Sequence, residues 1–303
     1  MNKRIIPAAS AYILWGFLPL YFKFVHDVPA LETTAHRVTW SLLLLVAILA
    51  VRRNFSAFRA SLNRRTLLIF SGSAALLAVN WLVYVYGVTS GFVVETSLGY
   101  FINPLVNVLL GTILLREQLR ITQWIPIGLA ALGVAYLTFS LGSPPWIALA
   151  LAFTFGLYGL VKKVAPLGSL YGLTLETGLL FIPATGYLIY DEMIGGAYFG
   201  HAGFTTTALL MLLGVVTAIP LLLFAKGARL VPMTTLGLLQ YIAPTLQFLT
   251  GVFIYGEPVS TARLVGFGII WTALAIYSIE GIRNRRRAGA VAQASVALSG
   301  RQT

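Results

Sequence analysis

The sequence aligns with itself at an offset of 140 residues without a gap. The residues shared at this offset are mainly glycine, proline and charged types, and they include Gly16 with Gly156, Lys23 with Lys163, Gly87 with Gly227, Pro104 with Pro244, and Glu117 with Glu257. Glycine and proline constrain the backbone, so their recurrence indicates that a backbone shape is repeated. The sequence therefore predicts two copies of one structural unit, over residues 1–140 and 141–282.

Each copy consists of apolar stretches of about 20 residues, the length needed to cross a hydrocarbon layer of roughly 30 Å. There are ten such stretches, near 5–25, 33–51, 66–88, 92–115, 121–140, 145–162, 169–190, 206–225, 231–255 and 261–281. Only 10% of the 303 residues are charged, whereas soluble proteins carry about 25%. We expect an all-α integral membrane protein with ten transmembrane helices.

Five spans per copy is an odd number, so the second copy must cross the membrane in the direction opposite to the first. Two inverted five-helix repeats around a central cavity are the architecture of many secondary transporters, which work by alternating access. After residue 282 the sequence becomes polar, small and arginine-rich, so we interpret 283–303 as a disordered basic tail.

The net charge of +12 is distributed unevenly between the predicted spans. If the N-terminus is cytoplasmic, 18 of the 21 lysines and arginines lie inside, and only Lys23, Arg37 and Arg263 lie outside. Because short cytoplasmic loops favour basic residues, both termini are expected in the cytoplasm. The basic charge thus indicates topology and contact with lipid, and it does not indicate a nucleic-acid partner.

Motifs for catalysis or cofactor binding are absent from the sequence. No Gly-x-x-x-x-Gly-Lys-[Ser/Thr] string offers an ATP phosphate site, and no nucleophile elbow is present. There is no cysteine, and the three histidines, at 26, 36 and 201, are scattered, which argues against a metal site. We expect a non-enzyme without cofactor or metal, with a small-molecule substrate and the lipid bilayer as partners. The oligomeric state is left open.

Polar residues recur at helical spacing within three spans, where polar groups in the membrane are costly. Each of these spans has one polar face, which we call its stripe. The stripe consists of Ser73, Asn80, Tyr84 and Gly87 on the third span, of Thr96, Tyr100, Asn103 and Asn107 on the fourth, and of Gln240 and Gln247 on the ninth. Such stripes either line a path or bond to neighbouring helices. For a single amide we favour helix packing, but for the set we favour a cavity. The predicted substrate-binding residues are Asn80, Trp81, Tyr84, Tyr100, Asn103 and Gln240.

Ionisable groups within the spans are the candidates for proton coupling. Glu95 and His36 have this role in our prediction, because their charge can change with access to solvent. Glu95 could equally be a carboxylate favoured by the start of its helix. The 140-residue offset pairs His36 with Glu176, so each copy has a titratable group at an equivalent depth. Arg37 is expected to anchor its helix, or to pair with Glu32 or Glu95, in preference to binding a carboxylate substrate.

Pro104 and Pro244 occupy equivalent positions in the fourth and ninth spans. Each removes a backbone donor and can bend its helix. One interpretation is a symmetric pair of hinges for rocking of the repeats. The other is a structural kink without a role in motion.

Several strings have a distinctive composition: AVNWLVY at 78–84, ETSLGYFINPL at 95–105, LREQL at 115–119 and QYIAP at 240–244. With WG at 15–16 and AHR at 35–37, they resemble the RarD-type members of the EamA group in the drug/metabolite transporter superfamily. The similarity spans about residues 5–282. It implies ten helices from a duplicated five-helix unit, cytoplasmic termini in the bacterial inner membrane, and export of amino acids or metabolites without ATP. It does not identify a substrate.

The residues and the resemblance together predict a secondary transporter. We expect an exporter of small metabolites, such as amino acids, aromatic or drug-like compounds, in which proton coupling is one option and an uncoupled facilitator the other. The rival of another class is a non-transporting membrane scaffold or sensor, in which the polar stripes serve packing only.

Overall fold

The computed structural model describes residues 3–90, 92–139, 146–254 and 264–280, together with residues 256, 261 and 283. Within these ranges the description excludes the side chains of Val88, Thr89, Val93, Val94, Glu95 and Ser97. The predicted repeat boundary, Glu257 and the tail after residue 283 lie outside the described residues.

The described chain is built from α-helices and one short 3-10 turn. The first half contains α1 (Ile6–Gly16), α2 (Leu18–Phe22), the 3-10 turn (Lys23–Val25), α3 (Ala30–Val51), α4 (Phe55–Ala60), α5 (Arg64–Thr89), α6 (Val93–Ile113) and α7 (Ile121–Phe139). The second half contains α8 (Trp146–Val164), α9 (Ser169–Met193), α10 (Phe204–Leu230), α11 (Met233–Gln240), α12 (Ile242–Phe253) and α13 (Leu264–Glu280).

Ten apolar helical segments lie where the sequence predicts the spans. In the described part of the chain, eight are long and apolar enough to cross a membrane: Ile6–Val25, Ala30–Val51, Arg64–Gly87, Ile121–Phe139, Trp146–Val164, Ser169–Met193, Phe204–Leu230 and Met233–Phe253. Two shorter apolar segments correspond to the fourth and tenth predicted spans: Leu98–Ile113, which is part of α6, and Leu264–Glu280, which is α13. The prediction of an all-α integral membrane protein is confirmed.

Two of the spans are divided into two helices next to a proline. The first span breaks at Phe17, just before Pro19, and the ninth breaks at Tyr241, just before Pro244. A proline lacks the N–H that would bond to the carbonyl four residues earlier, so the helix loses a hydrogen bond at this point. In contrast, α6 continues through Pro104.

The helices divide into two compact units, Met1–Glu117 with Pro144–Pro258, and Gln118–Ser143 with Val259–Thr303. Within the first unit, α3 packs against α9 and α6 packs against α11, and these are helices that the 140-residue offset relates to each other. The contact of α5 with α8 likewise has its counterpart in the contact of α10 with α1. This unit therefore combines helices from both predicted repeats, whose boundaries stay a prediction.

The second unit contains α7 and α13. Two side chains near the start of α7 contact the carboxylate of Glu280, the last residue of α13. Thr122 donates its hydroxyl to Glu280 Oε1 at 2.9 Å, and Arg120 Nη1 lies 3.3 Å from the same oxygen. These contacts join the start of α7 to the end of α13.

In the first unit, α3 and α10 approach each other closely at Gly214. A Cβ atom at this position would lie 2.4 Å from the carbonyl carbon of Trp40, so only glycine fits without displacing a backbone. Ser41 also donates its hydroxyl to the Gly214 carbonyl at 3.1 Å. Small residues that allow such backbone contact, and hydroxyls that bond across it, are the usual means of joining helices in a membrane.

Candidate functional site

The first unit contains a cavity of about 110 Å³ whose lining includes polar and aromatic side chains. An ordered water needs roughly 10–15 Å³ of such volume, so the cavity is large enough for several waters or for part of a small molecule. All six residues predicted to bind substrate line it: Asn80, Trp81, Tyr84, Tyr100, Asn103 and Gln240. They come from α5, α6 and α11, so the stripes read from the sequence meet around one space.

The third-span stripe serves both packing and the cavity. Asn80 Nδ2 donates to the carbonyl of Leu151 at 3.0 Å and to the hydroxyl of Thr154 at 2.9 Å, which joins α5 to α8. Tyr84 and Tyr100 meet edge to face with ring centroids 6.4 Å apart. The two interpretations of the stripe are therefore compatible, because one amide can hold a helix while its neighbours border the cavity.

The fourth- and ninth-span stripes are joined by buried amides. Asn107 Nδ2 donates to Gln240 Oε1 at 2.8 Å and lies 3.3 Å from Asn103 Oδ1. A Cβ atom on Gly237 would lie 2.5 Å from the carbonyl oxygen of Pro104, so the absence of a side chain lets α11 approach α6 here. This close approach places Asn103 and Gln240 at the same wall of the cavity.

Further residues line the cavity that the sequence did not single out as substrate-binding: Tyr12, Trp15, Phe22, Arg37, Phe155 and Gln247. The sequence places Gln247 on the ninth-span stripe, where the 140-residue offset aligns it with Asn107, but our prediction did not include it among the substrate-binding residues. Its Nε2 donates to the carbonyl of Trp15 at 3.1 Å. Tyr86, two residues after Tyr84 on α5, packs against Phe92 and Trp146.

Arg37 does not form the expected ion pair with Glu32, and the side chain of the other expected partner, Glu95, lies outside the described ones. Its Nε donates to the hydroxyl of Thr217 at 3.0 Å, and its guanidinium carbon lies 4.9 Å from the ring centroid of Trp81. Glu32 instead accepts hydrogen bonds from the backbone N–H groups of Tyr198 and Phe199, at 2.9 and 3.1 Å. The side chain of Arg37 therefore borders the cavity.

The two predicted proton-coupling residues have different positions. His36 is buried beside the chain that joins α9 to α10: its ring lies 4.8 Å from that of Phe199, and its Nδ1 accepts a hydrogen bond from Trp40. Its Nε2 is 3.7 Å from Glu32 Oε1. Glu95 belongs to α6, but its side chain lies outside the described ones.

Glu176, the repeat mate of His36, takes part in a buried ion pair between α8 and α9. Lys162 Nζ lies 2.5 Å from Glu176 Oε2, and both side chains are at most 3% exposed. The hydroxyls of Ser73 and Tyr158 donate to the same carboxylate. This cluster, Ser73, Tyr158, Lys162 and Glu176, saturates the carboxylate with partners and joins three helices.

The two predicted hinge prolines differ in their surroundings. Pro244 lines the cavity, three residues after the break between α11 and α12. Pro104 lies inside the continuous α6. The equivalent positions therefore have unequal backbone continuity, and a role for either as a hinge stays a prediction.

Comparison with known proteins identifies the family to which the chain is similar. Residues 3–139 match the EamA-like transporter family. The chain is 42% identical over 289 residues to "Uncharacterized transporter YojE" of Bacillus subtilis, which covers 94% of this chain and 96% of that protein. It is 39% identical over 287 residues to "Protein RarD" of Escherichia coli, which covers 94% of this chain and 97% of that protein.

The chain belongs to the EamA-like transporter family. Within it, the relatives named RarD place the chain among the RarD-type members of the drug/metabolite transporter superfamily. A solved crystal structure superposes with a TM-score of 0.68 over 91% of this chain and 98% of the other, at 20% identity. At this identity the likeness concerns the fold alone.

Membership of the EamA-like family defines the function coarsely. The chain is a multi-pass bacterial inner-membrane transporter with a small-molecule substrate. Among the described residues of this family member, no group of three or more histidine, aspartate or glutamate side chains is arranged to hold a metal ion. Because a transporter needs a site for its substrate, the cavity lined by the predicted stripes is the candidate substrate site.

Proposed function

We propose that this protein is a secondary transporter that exports a small amphipathic metabolite through the cavity. In this proposal the two inverted repeats alternate the access of the cavity between the two sides of the membrane, and both termini are cytoplasmic. The observation that supports it is the meeting of α5, α6 and α11 around one cavity with polar and aromatic walls. Polar groups at membrane depth are costly and are retained where they serve a path.

The described hydrogen bonds leave complementary groups for a substrate. The amide nitrogen of Asn80 donates to α8, and no described hydrogen bond uses its side-chain oxygen, which leaves an acceptor for a substrate. Gln240 uses its carbonyl oxygen with Asn107, so its amide nitrogen is the donor that a substrate can use. Trp81, Tyr84 and Tyr100 supply ring surfaces for an apolar or flat group. A substrate with hydrogen-bonding groups and an apolar or flat group would therefore match the lining of the cavity.

Alternating access would use the broken ninth span. The gap in the helix at Tyr241 allows α12 to tilt against α11 with the loss of few hydrogen bonds. The corresponding bend at Pro104 would occur within a continuous helix. In this proposal the two prolines are hinges of unequal stiffness.

Proton coupling is proposed through Glu95 or His36. His36 is only 4% exposed, so proton exchange with solvent would require the chain between α9 and α10 to move away from it. The alternative is an uncoupled facilitator, in which neither residue changes charge during transport.

The test is efflux from proteoliposomes that are loaded with a mixed pool of amino acids and aromatic metabolites. Efflux is measured by mass spectrometry with and without an imposed pH gradient. We expect protein-dependent efflux of at least one compound. A gradient dependence that disappears in Glu95→Gln or His36→Gln supports coupling, and efflux that ignores the gradient supports the facilitator.

Variants of α6 separate transport from packing. Tyr100→Ala removes a cavity wall, whereas Leu109→Ala, on the same helix, removes a side chain that is 45% exposed. We expect Tyr100→Ala to lose most of its efflux at an unchanged melting temperature and Leu109→Ala to keep it. If variants at Tyr100 and Asn103 keep full efflux, the cavity is not the path. If they only unfold the protein, the scaffold alternative is favoured.

A further inference from the structure

Arg37 carries a charge deep within the first unit. It is the eighth residue of α3, about 10 Å along the helix from its start at a rise of 1.5 Å per residue. Its contact residue Thr217 is the fourteenth of the 27 residues of α10, so the guanidinium lies level with the middle of that helix. A cation at this depth is costly unless a negative group compensates it.

The described surroundings provide no such negative group. No described carboxylate lies within 4.0 Å of the Arg37 guanidinium, and the carboxylate of Glu32 is taken up by backbone N–H groups. Instead, the guanidinium carbon lies 4.9 Å from the Trp81 ring and 5.8 Å from the Phe22 ring, within the range of cation–π contact. Aromatic rings stabilise the cation without neutralising it, so its charge is available to a ligand.

The guanidinium is also held in a fixed orientation. Nε donates to Thr217, while no described hydrogen bond uses Nη1 or Nη2. Two terminal N–H₂ groups on a fixed planar fork match the two oxygens of a carboxylate. A guanidinium that is oriented by one hydrogen bond, lies on the wall of a cavity and has no described carboxylate within 4.0 Å is suited to bidentate recognition of an anion.

We propose that Arg37 is the anion-binding residue of the cavity, and that its ligand is a small monocarboxylate with an aromatic or branched apolar group. The inference rests on the proposed function, because it assigns the substrate class of the same cavity. One positive charge among the described lining residues matches one negative charge, which favours a carboxylate over a doubly charged phosphate. The rings of Trp15, Trp81 and Phe155 would contact the apolar group.

The test uses a pair of probes that differ in charge alone at the relevant group. N-acetyl-L-phenylalanine is a carboxylate, and N-acetyl-L-phenylalaninamide is its neutral analogue. Binding of each to the purified protein is measured by calorimetry in detergent at neutral pH. We expect the carboxylate to bind at least tenfold more tightly to the wild-type protein.

Variants assign this preference to Arg37. Arg37→Gln should abolish the preference while it retains weak binding of both probes, and Arg37→Lys, which keeps the charge without the fork, should retain part of it. Arg59→Gln is the matched control, because Arg59 is an exposed residue of α4 away from the cavity lining. This control should bind like the wild type.

Each outcome bears on one of the two proposals. Equal binding of the two wild-type probes overturns the role of Arg37 even if Arg37→Gln does not fold. A preference that survives in folded Arg37→Gln also overturns it. Efflux of neutral or cationic compounds only, together with equal binding of the two probes, would contradict the role of Arg37 but would support the proposed transport function. A carboxylate preference without efflux of any compound would support the binding site and contradict transport.

Discussion

The hydroxyl of Tyr241 donates a hydrogen bond to the backbone carbonyl of Phe101 at 3.2 Å, and the two residues are 140 positions apart. They are thus equivalent residues of the two predicted repeats. Tyr241 is fully buried and lies at the break between α11 and α12. The contact therefore joins the broken ninth span to the continuous fourth span near the cavity.

Replacement of Tyr241 by phenylalanine should destabilise the protein by about 1 kcal/mol, because a buried carbonyl loses its hydrogen bond while the ring volume is kept. The measurement is the thermal unfolding midpoint in detergent. Tyr190→Phe, at a 58% exposed position, is the control and should unfold like the wild type. Equal midpoints for the two variants would show that the contact contributes no stability.

Loss of Lys162 should be among the more damaging single changes in the first unit. Lys162→Met leaves the carboxylate of Glu176 buried with the hydroxyls of Ser73 and Tyr158 alone. Removal of one partner of a buried ion pair costs about 3–5 kcal/mol. We therefore expect a large fall in the unfolding midpoint of Lys162→Met.

The double variant Lys162→Met/Glu176→Leu is the control for this effect. Because it removes both charges, it should recover much of the lost stability. If the double variant is as unstable as the sum of its two single variants, the pair is not coupled and the prediction is wrong.

An added methyl group at Gly214 should separate α3 from α10. The Cβ of Gly214→Ala would meet the carbonyl carbon of Trp40 at 2.4 Å, and backbone atoms cannot move aside as a flexible side chain can. We expect a cost of about 1–3 kcal/mol, seen as a lower unfolding midpoint. Gly186→Ala on α9, with no atom within 4 Å of the new Cβ, should be neutral.

The carboxylate of Glu117 stabilises the start of α11. It accepts the backbone N–H of Met233 at 2.6 Å and both the N–H and the hydroxyl of Thr234, at 3.0 and 2.9 Å. Negative charge is favourable at the N-terminus of a helix, so Glu117→Gln should lower stability by about 1–2 kcal/mol. Glu192→Gln, which loses an exposed pair with His201, should change it by less than about 1 kcal/mol.

The proposed orientation can be measured directly, because the natural sequence has no cysteine. Ala60→Cys at the end of α4 and Ala202→Cys before α10 each introduce one exposed thiol. If the N-terminus is cytoplasmic, a membrane-impermeant maleimide should label Ala202→Cys in intact spheroplasts and Ala60→Cys only after permeabilisation. The reverse pattern would place both termini outside.

Helical periodicity in the sequence was sufficient to predict which faces would be polar. Asn80 and Tyr84 are four residues apart, and Tyr100 and Asn103 are three apart, and this spacing defines one side of a helix whatever the helix packs against. The positions of the spans followed in the same way from the length of each apolar run. The predicted lining of the cavity is therefore a local property that the sequence contains.

The role of Arg37 could not be obtained in this way. The sequence offered Glu32 as a partner five residues away, but the backbone of Tyr198 and Phe199 takes up that carboxylate. Thr217, which orients the guanidinium, is 180 residues away, and Trp81 lies on another helix. No periodicity within α3 indicates these contacts.

The sequence by itself determined the class of the protein: ten apolar spans, a 140-residue offset between halves, and polar stripes on three spans. These features depend on the lengths of apolar runs and on the spacing of residues along the chain, so they can be predicted without knowing how the helices pack. Only the tertiary structure decided which buried charges are paired within the protein, as Glu176 is with Lys162, and which line the cavity without a described carboxylate nearby, as Arg37 does. The physical reason is that the energy of a buried charge depends on the groups within a few ångströms of it, and those groups come from helices distant in the chain.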